Sequence, residues 1–349
     1  MLRVSDLIQL VPPPAPSAAP ASAALVDTYG RIHDSLRISV TDRCNIRCFY
    51  CMPEDASDFA PVKRILTFDQ IVRFVQAAQE LGIRKVRLTG GEPLLRRNLP
   101  DLIARLCGCG LEDLALTTNA VLLSRFARAL HDAGLRRLNI HLDTLDRGRF
   151  REISRRDDLD RVVAGIEEAI KAGFHSIKLN AVAIRDLSEA DIVPLARFAR
   201  ERNLEIRYIE FMPLDAQHLW SREKVLLADE ILERLSSAFG PLIAVPDADP
   251  RAPATEYEFS DGRGRVGVIA SVSRPFCLNC NRLRLTADGK LRYCLFAREE
   301  TDVTALLEAE KHSELESAIR STVWQKWAGH QINSSAFVAP RRPMYSIGG

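Results

Sequence analysis

The chain has 349 residues, 46% of them hydrophobic, so it can bury the core of one large domain and a smaller one. Its 48 basic side chains nearly cancel its 46 acidic ones, which excludes a global field that would attract nucleic acid or an anionic membrane. No apolar run reaches the roughly 18 residues of a membrane span, and Asp6 and Gln9 interrupt the N-terminal stretch that could imitate a signal peptide. We therefore expect a cytoplasmic protein of enzyme size.

The N-terminal segment differs in composition from the rest of the chain. Residues 11–24 read VPPPAPSAAPASAA, which cannot bury a core, so 1–25 is predicted to be a disordered leader. From Val26 onward, short aliphatic runs alternate with amphipathic stretches. The predicted strands are 36–40, 86–88, 114–116, 138–142, 177–183 and 206–211, and the predicted helices include 68–81 and 122–133. This α/β alternation predicts a partial (incomplete) β/α TIM-type barrel of about six units over 26–215.

The pattern changes after Met212-Pro213. A helix predicted over 225–239 stops at Gly240-Pro241, and a loop rich in Pro, Asp and Ala follows, then short strands and terminal helices. Residues 216–349 are therefore predicted to form a smaller C-terminal α+β domain that closes the barrel.

Three cysteines follow the first predicted strand directly. Cys44, Cys48 and Cys51 have the spacing C-x3-C-x2-C, at the strand end where barrel enzymes place their active sites. Three thiolates can ligate three irons of a cubane cluster and leave the fourth iron open to a small molecule. A structural zinc ion would need a fourth ligand. The nearest candidates, His33 and His131, are far away in the sequence, so the pattern favours an iron–sulfur cluster.

A second motif accompanies this triplet. Gly90-Gly91-Glu92-Pro93 ends the next predicted strand, and an aromatic residue precedes the last cysteine of the triplet. A lone Gly-Gly would indicate only a turn, but the pair of motifs resembles the radical S-adenosylmethionine superfamily. The resemblance implies that the open iron chelates S-adenosylmethionine and that backbone at 90–92 receives its amino group. It also implies that one electron from the cluster releases a 5′-deoxyadenosyl radical.

A second triplet, Cys277, Cys280 and Cys294, has the spacing C-x2-C-x13-C. Residues 282–286 and 290–293 read as strands joined by a turn at 287–289, a hairpin that folds Cys294 back beside the other two. Zinc with a distant fourth ligand is the alternative, and C-x2-C alone would favour it. The lack of a fourth cysteine or an adjacent histidine weakens that alternative. A second cluster with a vacant iron would instead offer a Lewis-acidic docking point for substrate.

Charged side chains interrupt several predicted strands. Arg37, Arg87 and Lys178 each stand between two aliphatic residues, so alternation along the strand turns them into the barrel lumen. Solvated surface positions are the usual place for such residues. A buried cation instead needs an anionic partner, and a triphosphate would supply one.

The two triplets, their flanking segments SVTDRCNIRCFYCMP, IEFMP and FCLNCNRLRLTADGKLRYCL, and the C-terminal Ile347-Gly348-Gly349 resemble the GTP 3′,8-cyclase family of molybdenum cofactor biosynthesis. The match runs from about Val26 to the last residue. It implies two [4Fe-4S] clusters, S-adenosyl-L-methionine and GTP. We expect the deoxyadenosyl radical to remove the ribose 3′ hydrogen and the carbon radical to attack C8. Further implied partners are a reductant protein, a second copy in a homodimer, and the next enzyme of the pathway as a functional neighbour.

The same resemblance implies roles for individual residues. Contacts to S-adenosylmethionine are implied for Tyr50, Gly91 and Met212, and for His141, which replaces the serine of the family's NVSLD pattern. Contacts to GTP are implied for Arg37, Arg87, Thr117, Lys178, Arg282 and Arg284. The implied catalytic residues are Arg282, Arg284, Gly348 and Gly349. A terminal double glycine usually frays, but here it is expected to thread into the active site.

Two other functions stay open. A radical enzyme that modifies peptides or builds another cofactor would carry more than three cysteines in its second group. A zinc-stabilised nucleotide-binding module would bind about one or two zinc ions, whereas two clusters would hold about eight irons.

Overall fold

The computed structural model describes residues 24–55, 59–215, 217–246, 248–335 and 337–348. Most of the predicted leader lies outside these ranges. Leu25 is described and is 1% exposed, and Val26 forms an isolated bridge with Ile32. The packed chain therefore includes Leu25, one residue before the predicted boundary. Within the described ranges, no helix combines the length and the apolar composition needed to cross a membrane.

In the residues that the structure describes, twelve strands form one sheet. They are β1 (Ser35–Ser39), β2 (Lys85–Thr89), β3 (Asp113–Thr118), β4 (Arg137–His141), β5 (Ser176–Ala183), β6 (Glu205–Glu210), β7 (Leu242–Ala244), β8 (Thr255–Phe259), β9 (Arg265–Ile269), β10 (Arg282–Leu285), β11 (Lys290–Arg292) and β12 (Thr301–Asp302). Their order is β12-β11-β10-β1-β2-β3-β4-β5-β6-β9-β8-β7. All six strands predicted before residue 215 are confirmed, as is the β10–β11 hairpin.

Strands β1 to β6 pair in parallel with their sequence neighbours. The later strands extend this sheet at both ends, since β10 pairs in parallel with β1 and β9 pairs in parallel with β6. The α/β fold with a mainly parallel sheet is thus confirmed. Because β7 and β12 stand at the two ends of the order, strand pairing alone does not close a barrel.

Ten α-helices accompany the strands in the described part of the chain. They are α1 (Phe68–Glu80), α2 (Leu99–Cys107), α3 (Leu123–Asp132), α4 (Arg147–Ser154), α5 (Leu159–Lys171), α6 (Ile192–Glu201), α7 (Ala228–Phe239), α8 (Thr304–Glu308), α9 (His312–Trp324) and α10 (Met344–Ile347). Helix α1 begins at a capping box, in which Thr67 and Gln70 exchange side-chain and backbone hydrogen bonds. Such a cap stabilises a helix by about 1 kcal/mol.

Alternation along the strands separates the core from the opposite face of the sheet. In β1, Leu36 and Ile38 are fully buried in the hydrophobic core, whereas Arg37 between them is only partly buried. The same pattern recurs in β2 around Arg87. The aliphatic side chains thus leave polar side chains, including Arg37 and Arg87, on the opposite face.

Glu210, the last residue of β6, joins three parts of the fold. Its side chain is fully buried and accepts hydrogen bonds from the backbone nitrogens of Ala228 at 2.9 Å, Val272 at 2.7 Å and Ser273 at 2.7 Å. The Ser273 hydroxyl donates to it as well. One carboxylate therefore fixes β6 against the start of α7 and the segment after β9.

Candidate active site

The first cysteine triplet lies in the loop after β1, as predicted. The Cys51 amide donates to the Cys48 carbonyl at 2.9 Å and forms a tight turn. The side-chain amide of Asn119, just after β3, donates to the Cys44 sulfur at 3.6 Å. The loop therefore reaches across the carboxyl ends of neighbouring strands, where α/β proteins bind their ligands.

The glycines after β2 are required by the close approach of this loop. The Gly91 amide donates to the Thr41 carbonyl at 2.7 Å. A Cβ atom added at Gly90 would lie 2.5 Å from the Thr41 carbonyl oxygen, and one added at Gly91 would collide with the Arg43 carbonyl. Only glycine therefore fits at both positions, and the backbone of 90–92 lies directly beside the loop that carries the cysteines.

The surroundings of Cys44 and Cys51 suppress free thiolates at these two residues. Burial, together with the charge of Glu92, raises the pKa of the Cys44 thiol to about 12. Burial, together with the Cys48 and Cys44 charges, raises the pKa of Cys51 well above its ordinary value. Thiols of this kind are poor nucleophiles, but a bound metal would displace their protons. The triplet therefore fits metal ligation better than covalent catalysis.

Tyr50 and His141 meet beside this triplet at Asp143. The Tyr50 hydroxyl donates to the Asp143 carboxylate at 2.5 Å, and His141 Nε2 lies 2.8 Å from the same oxygen. Tyr50 and His141 also contact each other. Burial lowers the pKa of His141, but Asp143 outweighs it and holds the pKa well above its ordinary value. Cys48, Asn119, His141 and Asp143 line a small cavity here.

The second triplet also converges. Cys277 and Cys280 flank a short turn in which the Cys280 amide donates to the Cys277 carbonyl. The β10–β11 hairpin brings Cys294 back toward them, so that all three cysteines line one cavity, which is separate from the small cavity beside His141. A zinc ion with Zn–S bonds of about 2.3 Å would hold its sulfurs about 3.8 Å apart. In the described ranges, only Glu80, His312 and Glu316 bring three ligand atoms within 4.8 Å of one another. Neither triplet therefore has the spacing of a single-ion site.

One large cavity connects the second triplet to the parallel sheet. Each of the strands β1 to β6 contributes one polar side chain to its lining. In strand order, these side chains are Arg37, Arg87, Thr117, Asn139, Asn180 and Arg207. Met212, Arg282 and Arg284 line the same cavity.

Arginines dominate one side of this cavity. Arg37 is in register with Arg87 on one side and with Arg284 on the other. Burial and the neighbouring arginines lower the pKa of Arg37 well below its ordinary value, and they lower the pKa of Arg87 to about 10 and that of Arg284 to about 9. In the described part of the chain, none of the three forms an ion pair with a carboxylate. Like charges in neighbouring strands repel, so this arrangement calls for a bound polyanion.

Lys178 differs from these arginines. Its ammonium lies 2.7 Å from Glu205 and 3.5 Å from Glu256, and it is not among the residues that line the cavity. The protein itself thus supplies the anionic partner that the sequence argument assigned to a ligand. For Lys178 that argument was wrong, and its contact with GTP stays a prediction.

The C-terminal tail is packed. Tyr345 and Ile347 are 6% and 1% exposed, and the Gly348 carbonyl accepts a hydrogen bond from Arg284. A Cβ atom at Gly348 would lie 3.0 Å from the side chain of Thr89, at the end of β2. Gly348 therefore lies beside the end of β2, and its neighbour Gly349 lies outside the described residues. The entry of the double glycine into the active site stays a prediction.

Sequence reasoning missed four polar residues of this region. Asn180 and Arg207 stand between buried hydrophobic neighbours in β5 and β6, so the alternation that indicated Arg37 could have indicated them as well. Asn139 and Asp143 stand within the NIHLD segment, where only His141 attracted notice. A polar residue inside a strand, or directly after it, was the feature that could have indicated them.

Comparison with known proteins agrees with this arrangement. A Rhodopirellula baltica protein named GTP 3′,8-cyclase is 51% identical over 331 residues, which cover 93% of this chain and 92% of that protein. The chain belongs to the GTP 3′,8-cyclase family. A Mycobacterium tuberculosis relative named GTP 3′,8-cyclase 2 is 46% identical over 343 residues, which cover 96% of this chain and 94% of the relative.

Two family models match successive parts of this chain. Residues 38–199 match the Radical SAM superfamily, and residues 204–332 match Molybdenum Cofactor Synthesis C. Among solved structures, Streptococcus suis SuiB bound to its precursor peptide SuiA covers 90% of this chain and 76% of its own, with a TM-score of 0.63 and 15% identity. SuiB bound to S-adenosylmethionine covers 84% and 69%, with a TM-score of 0.57 and 16% identity. These likenesses show a shared fold.

Proposed function

We propose that this protein converts GTP to (8S)-3′,8-cyclo-7,8-dihydroguanosine 5′-triphosphate, an early step of molybdenum cofactor biosynthesis. The relatives' names support this reaction. The observation that carries the proposal is the row of Arg37, Arg87 and Arg284, which face one cavity in register and have no carboxylate partner among the described residues. A triphosphate matches several adjacent guanidinium groups in charge and in hydrogen-bond geometry.

Membership of the radical SAM superfamily implies one [4Fe-4S] cluster and S-adenosylmethionine. We assign that cluster to Cys44, Cys48 and Cys51, which have no disulfide partner and lie beside a glycine cradle that any Cβ would fill. When bound, the cluster and S-adenosylmethionine supply a 5′-deoxyadenosyl radical. We assign a second [4Fe-4S] cluster to Cys277, Cys280 and Cys294, whose spacing does not suit a single ion.

The remaining residues bind and orient the two small molecules. Arg37, Arg87 and Thr117 hold the triphosphate. The contact of Lys178 with GTP is proposed from the family resemblance alone, because Glu205 and Glu256 already pair with its ammonium in this structure. Arg282 and Arg284 lie beside the second triplet, where the guanine base would be placed. Gly348 closes the site through its contact with Arg284, and Gly349 is assigned the same role from the family resemblance. Positioning of one ribose C–H bond in a closed cavity is the main contribution of the protein.

S-adenosylmethionine is assigned to the opposite end of the cavity. Its amino group is received by the backbone at Gly91, and Tyr50, His141 and Met212 provide the other contacts. The hydrogen bond from Tyr50 to Asp143 orients the phenol ring before the ligand arrives. His141 replaces the serine of the family pattern and retains a ring N–H that can donate.

We also propose the larger organisation that the sequence suggests. Residues 26–215 form the incomplete barrel, residues 216–349 form the part that closes it, and the leader ends before the buried Leu25. The protein acts in the cytoplasm with a reductant protein, forms a homodimer, and works beside the next enzyme of the pathway.

The proposal is tested by anaerobic incubation of the reconstituted protein with S-adenosylmethionine and a reductant, in the presence of GTP or of ATP. We expect release of 5′-deoxyadenosine that depends on GTP, and the cyclised triphosphate as the product. Release that is absent, or equally fast with ATP, would reject the assignment. Zinc without iron in the purified protein would favour the nucleotide-binding module instead.

A further inference from the structure

A buried lysine lies against the second cysteine triplet. Lys326 follows α9 and is only 3% exposed. Its ammonium donates hydrogen bonds to the Cys280 sulfur at 3.3 Å and to the Arg282 carbonyl at 2.8 Å. Burial of an ammonium group without a counter-charge is costly, and no ion pair of the described residues gives Lys326 a carboxylate. The Cys280 sulfur is therefore its available anionic partner.

A second cation, Arg31, stabilises the position of Lys326 relative to the second triplet. The Arg31 guanidinium donates to the carbonyls of Cys277 at 2.7 Å, Trp327 at 2.6 Å and Ala328 at 2.9 Å. Asp27 in turn accepts from Arg31 at 2.6 Å. One side chain thus binds the cysteine turn to the segment directly after Lys326, which limits how far the ammonium can move from its sulfur.

The two triplets differ in the charge that surrounds them. The first has the buried carboxylate Glu92 in its neighbourhood, and the hydrogen bond to its Cys44 comes from the neutral amide of Asn119. The second has two cations, Arg282 and Lys326, beside Cys280. Hydrogen bonds and positive charge at cluster sulfurs stabilise the reduced, more negative form and raise the reduction potential.

We propose that Lys326 is a positioning residue that raises the reduction potential of the second cluster through its hydrogen bond to Cys280. This inference depends on the proposed function, because it requires the second cluster to be present. The ammonium makes the second cluster easier to reduce than the same cluster would be with a neutral neighbour.

The test is an anaerobic redox titration of the reconstituted full-length chain, monitored by electron paramagnetic resonance. Replacement of Cys44, Cys48 and Cys51 by serine leaves the second cluster as the signal, and the intact chain is titrated in parallel. In this background, Lys326→Met keeps the length of the side chain and removes the donor, whereas Lys326→Arg keeps a cationic donor. Lys290→Met is the matched control, because Lys290 lies in β11, on the hairpin that leads to Cys294, but pairs with Asp302 at the surface.

We expect Lys326→Met to reduce the equilibrium constant for one-electron reduction by at least about tenfold, which is a midpoint about 59 mV more negative. Lys326→Arg and Lys290→Met should stay close to the parent protein. In the intact chain, only one of the two transitions should shift.

Three results would each decide against part of this account. Equal midpoints for all variants at equal iron content would overturn the role of Lys326. Loss of iron from Lys326→Met alone would also overturn it, since Lys326 would then serve assembly. Absence of iron from the serine background itself would instead refute the second cluster, and with it the proposed function.

Discussion

The buried carboxylate of Glu210 offers a quantitative test of how the fold is held together. In Glu210→Gln, one oxygen becomes an NH₂ group that cannot accept, so the Ala228 amide or the pair of amides at Val272 and Ser273 loses its acceptor. A buried donor without a partner costs about 1–3 kcal/mol, and the remaining bonds lose the strength that the charge gave them. We expect the free energy of unfolding to fall by about 3–5 kcal/mol, a large part of the total stability of a domain.

Anaerobic urea titrations of the parent protein and of Glu210→Gln, monitored by circular dichroism, measure this loss. Glu258→Gln is the matched control, because Glu258 pairs with Arg265 at 2.7 Å on the surface, where both side chains are about half exposed. Exposed pairs of this kind contribute about 0–1 kcal/mol. If the two variants differed by less than about 1 kcal/mol, the reasoning about Glu210 would be refuted.

Three further predictions concern the site. Arg87→Met should weaken GTP binding by about 10- to 100-fold at unchanged iron content, because one charged hydrogen bond contributes about 1.5–3 kcal/mol; unchanged affinity in anaerobic equilibrium dialysis would contradict the anion site. Gly90→Ala places a Cβ atom 2.5 Å from the Thr41 carbonyl and should lose about four irons per chain, so a full iron content would show that the loop can give way. Arg284→Met removes the bond to Gly348 and should speed carboxypeptidase trimming of the tail, whereas an unchanged rate would mean that the tail is held by other contacts.

Local sequence patterns were sufficient to predict the strands of the parallel sheet. The six strands could be predicted because aliphatic side chains recur at every second residue and are buried on one face, as Leu36 and Ile38 are on either side of Arg37. The β10–β11 hairpin was predictable from its turn, where Gly289 has a φ of +73°. The continuity of the sheet was harder to foresee, because the pairing of β10 with β1 joins segments that are distant in the chain.

Contacts between segments that are distant in the chain limited what could be predicted about the site. The prediction for Lys178 assumed that no carboxylate lies nearby, and Glu256, which is supplied by β8, is 78 residues away in the chain. Lys326 carries no local signal, because its partner Cys280 is 46 residues earlier. Residue type and alternation along the strands were therefore sufficient to predict the arginines of the cavity. Only the tertiary structure shows which of the buried charges are already paired within the protein.

The most direct test of the central claim is the fate of one hydrogen atom of the substrate. The protein would be incubated anaerobically with S-adenosylmethionine, a reductant and GTP that carries deuterium at C3′ of the ribose, and the 5′-deoxyadenosine would be analysed by mass spectrometry. If the cavity holds GTP by its triphosphate and presents the ribose to the first cysteine triplet, the deuterium should appear in the 5′-deoxyadenosine. Unlabelled 5′-deoxyadenosine, together with a product that retains the deuterium, would contradict the account.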